Sequence, residues 1–256
     1  MNSTEVIIEN EARLEKPVLI EGLPGLGLVG KLAADHMIKE LKAEKLATMH
    51  SPHFPPQVLI QDDGTVRMMQ NDFYYWQAEK KAQKDLLFIV GDHQGSTPVS
   101  HYEITGKTLD IAEMYGSDLV YTLGGFATGH LPRKPKVFGA VTSKKLQKKL
   151  RTAGVTFEKT GGGIVGAAGL LLGMGKLRGM EGVCLMGETH GQIIDARSAK
   201  AVLEVLQKLL KVDVNLSRLE KRAKDTEKMI EKARKAEQQQ KAAFNALPSE
   251  GPTYIR

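Results

Sequence analysis

The sequence predicts a three-layer α/β/α sandwich around a mainly parallel or mixed sheet. Three observations predict it. Unbroken apolar runs at Val18-Leu19-Ile20, Leu86 to Val90 and Leu119 to Leu123 read as strands covered on both faces. Stretches with helical spacing, such as Leu28 to Leu41 and Ala196 to Leu210, alternate with them. Glycine closes two of the apolar runs, Gly91 after the first and Gly124-Gly125 after the second.

Taken in order, Val6-Ile7-Ile8 and Pro17 to Ile20 predict strands. Leu28, Leu32, Met37, Ile38 and Leu41 share one face of the first helix. Lys45 to Met49 is a further strand. Val58-Leu59-Ile60 and Val66 to Met69 flank Asp62-Asp63-Gly64, a turn sequence, and predict a hairpin. Ile104 to Tyr115 is a helix stopped by Gly116. Ser143 to Leu150 is a short basic helix, and Gly161-Gly162-Gly163 opens a helix over Ile164 to Leu177. Gly182 to Met186 is the last strand before the helix ending at Leu210. Phe73, Tyr74, Tyr75 and Trp76 stand in a row and cannot all face inward on a strand, which predicts an edge or a subunit interface for some of them.

Three segments follow from this pattern: an α/β domain over 1–212, a charged helix over 213–247 and a flexible extended tail over 248–256. The helix carries Glu-to-Lys pairs four residues apart, Glu220–Lys224, Glu231–Lys235 and Glu237–Lys241. Its narrow seam of Leu216, Leu219, Ala223, Ile230, Ala233 and Phe244 suits packing on the body or on a partner helix. Pro248 and Gly251-Pro252 end it.

The chain has 256 residues, 41% of them hydrophobic and 26% charged, which is enough for a sizeable core. Its one cysteine, Cys184, lies in an apolar run and excludes an internal disulfide. MNSTEVIIENEARLEK lacks the features of a secretory leader, and no run reaches membrane-spanning length, so a cytoplasmic location is expected. The net charge is +6. From Lys211 onward there are 11 basic and 7 acidic residues, leaving 25 and 23 in the first 210, so the excess sits mostly in the C-terminal segment. That distribution points to an interaction appendage. Nucleic-acid binding by a helix of alternating Glu and Lys is disfavoured.

Gly25-x-Gly27-x-x-Gly30 has dinucleotide-site spacing after a strand. The acidic ribose partner at the next strand end is missing, since that strand runs into Met49-His50-Ser51. A tight turn with close helix–sheet packing is therefore the favoured reading, and no cofactor is expected. Asp92-His93-Gln94-Gly95-Ser96 reads as capping of the next segment. Glu188-Thr189-His190-Gly191 with Asp195 follows a strand end, the most enzyme-like spot in the chain, although Asp195 also suits an N-cap. His50-x-x-His53 is interrupted by Pro52 and makes a poor metal pair.

These motifs carry a resemblance. Glu21-Gly22-Leu23-Pro24-Gly25-Leu26-Gly27-Leu28-Val29-Gly30, Tyr121-Thr122-Leu123-Gly124-Gly125, and Gly187 to Gly191 followed by Asp195-Ala196-Arg197-Ser198-Ala199 resemble the proteasome assembly chaperone family, archaeal branch. The match runs in register from about residue 5 to the charged helix. It implies a nucleoside-phosphorylase-like sandwich without enzymatic activity. It also implies ATP-independent help in assembling the proteasome core particle, with α subunits as partners. Self-association is implied as well, a tetramer being one candidate, with neither nucleic acid nor membrane as partner. The alternative is a nucleotide- or nucleoside-binding enzyme using the Gly25–Gly30 turn, with Glu188, His190 or Asp195 as acid or base.

The resemblance further implies docking of the tail between α subunits through a hydrophobic residue, a tyrosine and any residue. Here the tail reads Thr253-Tyr254-Ile255-Arg256, with the tyrosine displaced by one position. These four residues are the expected partner-binding site, with Tyr254 as aromatic anchor and a terminal carboxylate to pair with a pocket lysine.

Overall fold

The computed structural model describes residues 1–129, 132, 134–158, 161–228 and 231. Its strands are β1 (Glu5–Ile8), β2 (Val18–Gly22), β3 (Glu44–His50), β4 (Val58–Ile60), β5 (Val66–Met68), β6 (Asn71–Trp76), β7 (Leu86–Gly91), β8 (Leu119–Ala127), β9 (Val137–Val141), β10 (Val155–Thr156) and β11 (Glu181–Thr189). The helices are α1 (Val29–Leu41), α2 (Pro98–Met114), α3 (Gln147–Thr152), α4 (Ala167–Leu177) and α5 (Ala196–Leu210), followed by a helix over 217–228.

Nine strands form one sheet in the order β1-β3-β6-β7-β2-β8-β11-β9-β10, and β4 and β5 form a separate hairpin. The sheet is mixed. β7, β2, β8 and β11 run parallel, as does β10 beside β9, while β1, β3 and β6 pair antiparallel, as do β6 with β7 and β9 with β11. Alternate residues of β2 explain the two cores. Val18 and Ile20 meet Val29, Ala33 and Met37 of α1 and the inner face of α5. Leu19 meets Ile104 and Leu109 of α2 and Leu171 of α4 on the other side. Helices therefore cover both faces, as the unbroken apolar runs require.

Several expectations need correction. The aromatic row is not at an edge of the sheet. It is β6, an interior strand flanked by β3 and β7, with Phe73 and Tyr75 packed in one core and Trp76 in the other. A strand covered on both sides can bury successive aromatics, which a half-buried strand cannot. α2 starts six residues earlier than its apolar pattern, because Thr97 and Ser100 form a reciprocal capping box ahead of Pro98. Asp92 to Ser96 therefore does not cap that helix. α4 starts at Ala167, three residues after the expected Ile164. Gln94 Oε1 accepts from Ala167 N at 2.8 Å there and holds the first turn. β9 carries no expectation from the sequence, because Gly139 interrupts its apolar run.

Candidate protein-interaction site

The Gly25–Gly30 turn leaves the C-terminal end of β2, at the sheet centre. Gly30 packs so tightly that a Cβ there would come within 2.1 Å of Leu123 O. Gly27 has φ +62, and a Cβ on it would lie 3.0 Å from Thr189 Oγ1 and 3.2 Å from Ile193 O. Both glycines thus serve close packing, as favoured from the sequence. Gly25 is exposed with open space around its Cβ position, so packing does not account for it.

The two strand-end motifs meet on this turn. Asp195 N donates to Gly27 O at 2.9 Å, which ties the start of α5 to this turn. Asp195 is fully buried and accepts from Arg197 N and Ser198 N at the start of α5. It also accepts from Thr189 Oγ1 at 3.1 Å and pairs with Arg197 Nε at 3.2 Å. Its carboxylate is thereby committed to the helix cap and one guanidinium, which in turn donates to Pro132 O. Glu188 instead accepts from Lys136 N at 3.2 Å, and His190 Nδ1 is buried without a partner among the described residues. Glu188, His190 and Asp195 share a neighbourhood but build no shared acid–base pair.

Other candidates resolve into scaffolding. Asp92 receives Arg67 through two bonds of 2.5 and 3.0 Å and accepts from Gln70 N, which ties the hairpin to the body. His53 Nε2 meets Glu103 Oε2 at 2.8 Å. Among the described residues no group of three or more His, Cys, Asp and Glu could hold a metal ion. Cys184 is buried, and burial pushes its thiol up to about 12, where it is unreactive. Glu21 lies in β2 with one carboxyl oxygen accepting from Leu23 N at 2.9 Å and the other unpartnered. Complete burial pushes it up to about 8, against the pull of the neighbouring backbone at Leu23 and Leu123.

What the body does build is a firm root for the C-terminal helix. Val212 and Val214 are buried, and His36 Nε2 bonds Asn215 O at 2.7 Å across α1. Asn215 Oδ1 accepts from Ser217 N and caps the 217–228 helix. Leu219 and Ala223 then enter the core shared with α1 and α5. Of the two partners open to that seam, these positions take the body. Lys200 bridges Glu204 at 2.8 Å and Glu220 at 3.3 Å across the junction. Thr253, Tyr254, Ile255 and Arg256 lie outside the described residues.

A second surface was not foreseen. The register of the hairpin, Val58 opposite Met68 and Ile60 opposite Val66, places four apolar side chains on one face. All four are exposed, Ile60 at 77% and Val66 at 63%. Leu59 and Arg67 take the inner face. Val66-Arg67-Met68 alternates while Val58-Leu59-Ile60 is apolar throughout, so the sequence does not say which face is wet.

Comparison with known proteins decides the family. The profile of the PAC2 family matches residues 19–234. The chain belongs to the PAC2 family. A relative from Methanocaldococcus jannaschii, described as an uncharacterized protein, is 46% identical over 235 residues, covering 92% of this chain and 90% of its own. The crystal structure of Pyrococcus furiosus PbaB, described as an archaeal proteasome activator, is 42% identical. It superposes with a TM-score of 0.88 over 91% of this chain and 100% of PbaB. Pyrococcus furiosus PbaA, described as an archaeal homolog of proteasome-assembly chaperone, is 27% identical, with a TM-score of 0.75 over 95% of this chain and 97% of PbaA. The nine-stranded mixed sheet is thus the PAC2 fold.

Proposed function

We propose that this protein is an ATP-independent proteasome assembly chaperone of the cytoplasm that binds the α subunits of the core particle. Its likeness to PbaA, described as a homolog of proteasome-assembly chaperone, carries the assembly reading, and its likeness to PbaB, at 42% identity over 91% of the chain, supports the proteasome as partner. Binding runs partly through Thr253-Tyr254-Ile255-Arg256. The rooted 217–228 helix supports this, because a fixed base limits the volume a tethered tail explores and so raises its effective concentration at a docking pocket. The protein acts without catalysis. The engagement of Gly27 O by Asp195 N and the commitment of the Asp195 carboxylate support that part. The chain self-associates, and the wet apolar face of the hairpin supports this.

The description of PbaB as an activator favours a second reading, opening of the finished particle. Surface plasmon resonance against isolated α subunits and against assembled core particles separates the two when combined with a peptidase assay. The assembly reading predicts binding to free α subunits and faster core-particle formation. The activator reading predicts binding to finished particles and increased peptide hydrolysis. A chain lacking Tyr254-Ile255-Arg256 is expected to lose most of its affinity in either case while staying folded. Equal binding by the truncated chain would move recognition to the body.

A further inference from the structure

Residues 144–151 hold five cations, Lys144, Lys145, Lys148, Lys149 and Arg151, and no acid. All five are exposed. They belong to a 3-10 turn over Lys144–Leu146 and to α3. Lys208 of α5 faces the same concavity, a cavity of about 580 Å³. Lys145, Lys148, Lys149 and Lys208 form its rim, and Ala153 and Leu209 its apolar floor. Among the described residues Glu181, 2.8 Å from Lys145, is the one acid paired with this group.

A solvated helix face is the plainer account, and it covers part of the cluster. Lys149 and Arg151 sit in the last turn of α3, where the helix dipole favours cations. It does not cover Lys145, ahead of that helix, or Lys208, on another one. Nor does it explain why the rim encloses an apolar floor. Like charges gathered from two elements repel one another, so an arrangement of this kind is stabilised by a bound anion.

We infer that this cavity docks an acidic peptide segment of a partner protein, with an apolar side chain of the segment on Ala153 and Leu209. Charge complementarity selects the acid, and the floor selects a peptide over a nucleic acid. Single-stranded nucleic acid would require an aromatic platform. The nearby aromatic ring, Phe157, already carries the Arg151 guanidinium at 4.8 Å. The basic surface is also short, because a helix of six residues spans only about 9 Å. None of the lining residues belongs to the 253–256 segment, and the test below does not involve that segment, so the inference stands or falls independently of tail docking.

The test is fluorescence anisotropy of the full chain with a labelled peptide, Glu-Glu-Leu-Glu-Glu, and with a thymidine oligonucleotide of equal charge. Saturable peptide binding is expected. The variant Lys148→Glu/Lys149→Glu/Lys208→Glu should weaken it by at least about ten-fold, roughly 1.4 kcal/mol. A control with the same charge change on exposed lysines elsewhere, Lys80→Glu/Lys81→Glu/Lys176→Glu, should leave it within about two-fold, as distant exposed charges are screened. Serine in place of the peptide leucine should also weaken binding. Equal losses in both triple variants would overturn the inference, as would preference for the oligonucleotide or absence of peptide binding with both proteins folded by circular dichroism.

Discussion

At the scale of single residues, close approach and burial decide the behaviour of the motif after β2. Gly30 faces the Leu123 carbonyl with no room for a methyl group. Gly30→Ala is expected to destabilise the fold by about 1–3 kcal/mol, since a packed backbone must shift. Gly25→Ala, with open space around it, should be close to neutral. Urea denaturation of the two variants tests the contrast. Glu21 makes a second prediction. Folded, it keeps its proton to about pH 8, while its ordinary value is 4.5. Above pH 4.5 the unfolded chain releases a proton that the folded chain retains, so this group lowers stability as pH rises toward 8 and adds no further slope beyond. The cumulative loss is at most about 5 kcal/mol. Glu21→Gln should flatten that slope, measured as unfolding free energy against pH. An unchanged slope would mean that Glu21 is solvated. The glycine spacing was legible in the sequence, and so was its packing role, because the acidic ribose partner is missing. The closure of the turn by Asp195 was not legible, since nothing in the spacing of Gly27 and Asp195 announces a hydrogen bond between them.

At the scale of elements, local signals were read well as unbroken apolar runs or one-sided stripes, and poorly where a doubly covered strand mixes polar and aromatic residues. α1 and α5 follow their apolar stripes, and the 58–68 hairpin follows its turn. β6 defeated the alternation rule because both of its faces are covered, so Phe73 and Trp76 are buried on opposite sides. The start of α2 was hidden for a different reason. Its first turn is set by polar capping rather than by apolar periodicity. Thr97→Ala removes that reciprocal box and is expected to cost about 1 kcal/mol. Hydrogen exchange should show the loss as faster exchange over the first turn of α2, with the sheet unaffected.

At the scale of the whole molecule, two surfaces extend what the sequence implied. The rooted helix was legible as a charged segment with a weak seam, but only the fold shows Leu219 and Ala223 entering the α1–α5 core. The hairpin face supports self-association, and Ile60→Lys/Val66→Lys should lower the mass seen by analytical ultracentrifugation without unfolding the chain, because both side chains are largely exposed. A mass unchanged from the parent protein would place the contact elsewhere. The position of β2 at the middle of the sheet has a consequence for how the chain is made. Val18 pairs with Leu86 on one side and with Leu119 on the other, so the central strand leaves the ribosome well before either neighbour exists. At about 5–20 residues per second the apolar run Val18-Leu19-Ile20 waits several seconds for its first partner strand. During that interval the nascent segment presents an unpaired strand that holdase chaperones and neighbouring nascent chains can capture, and slowing translation between β2 and β7 would lengthen its exposure.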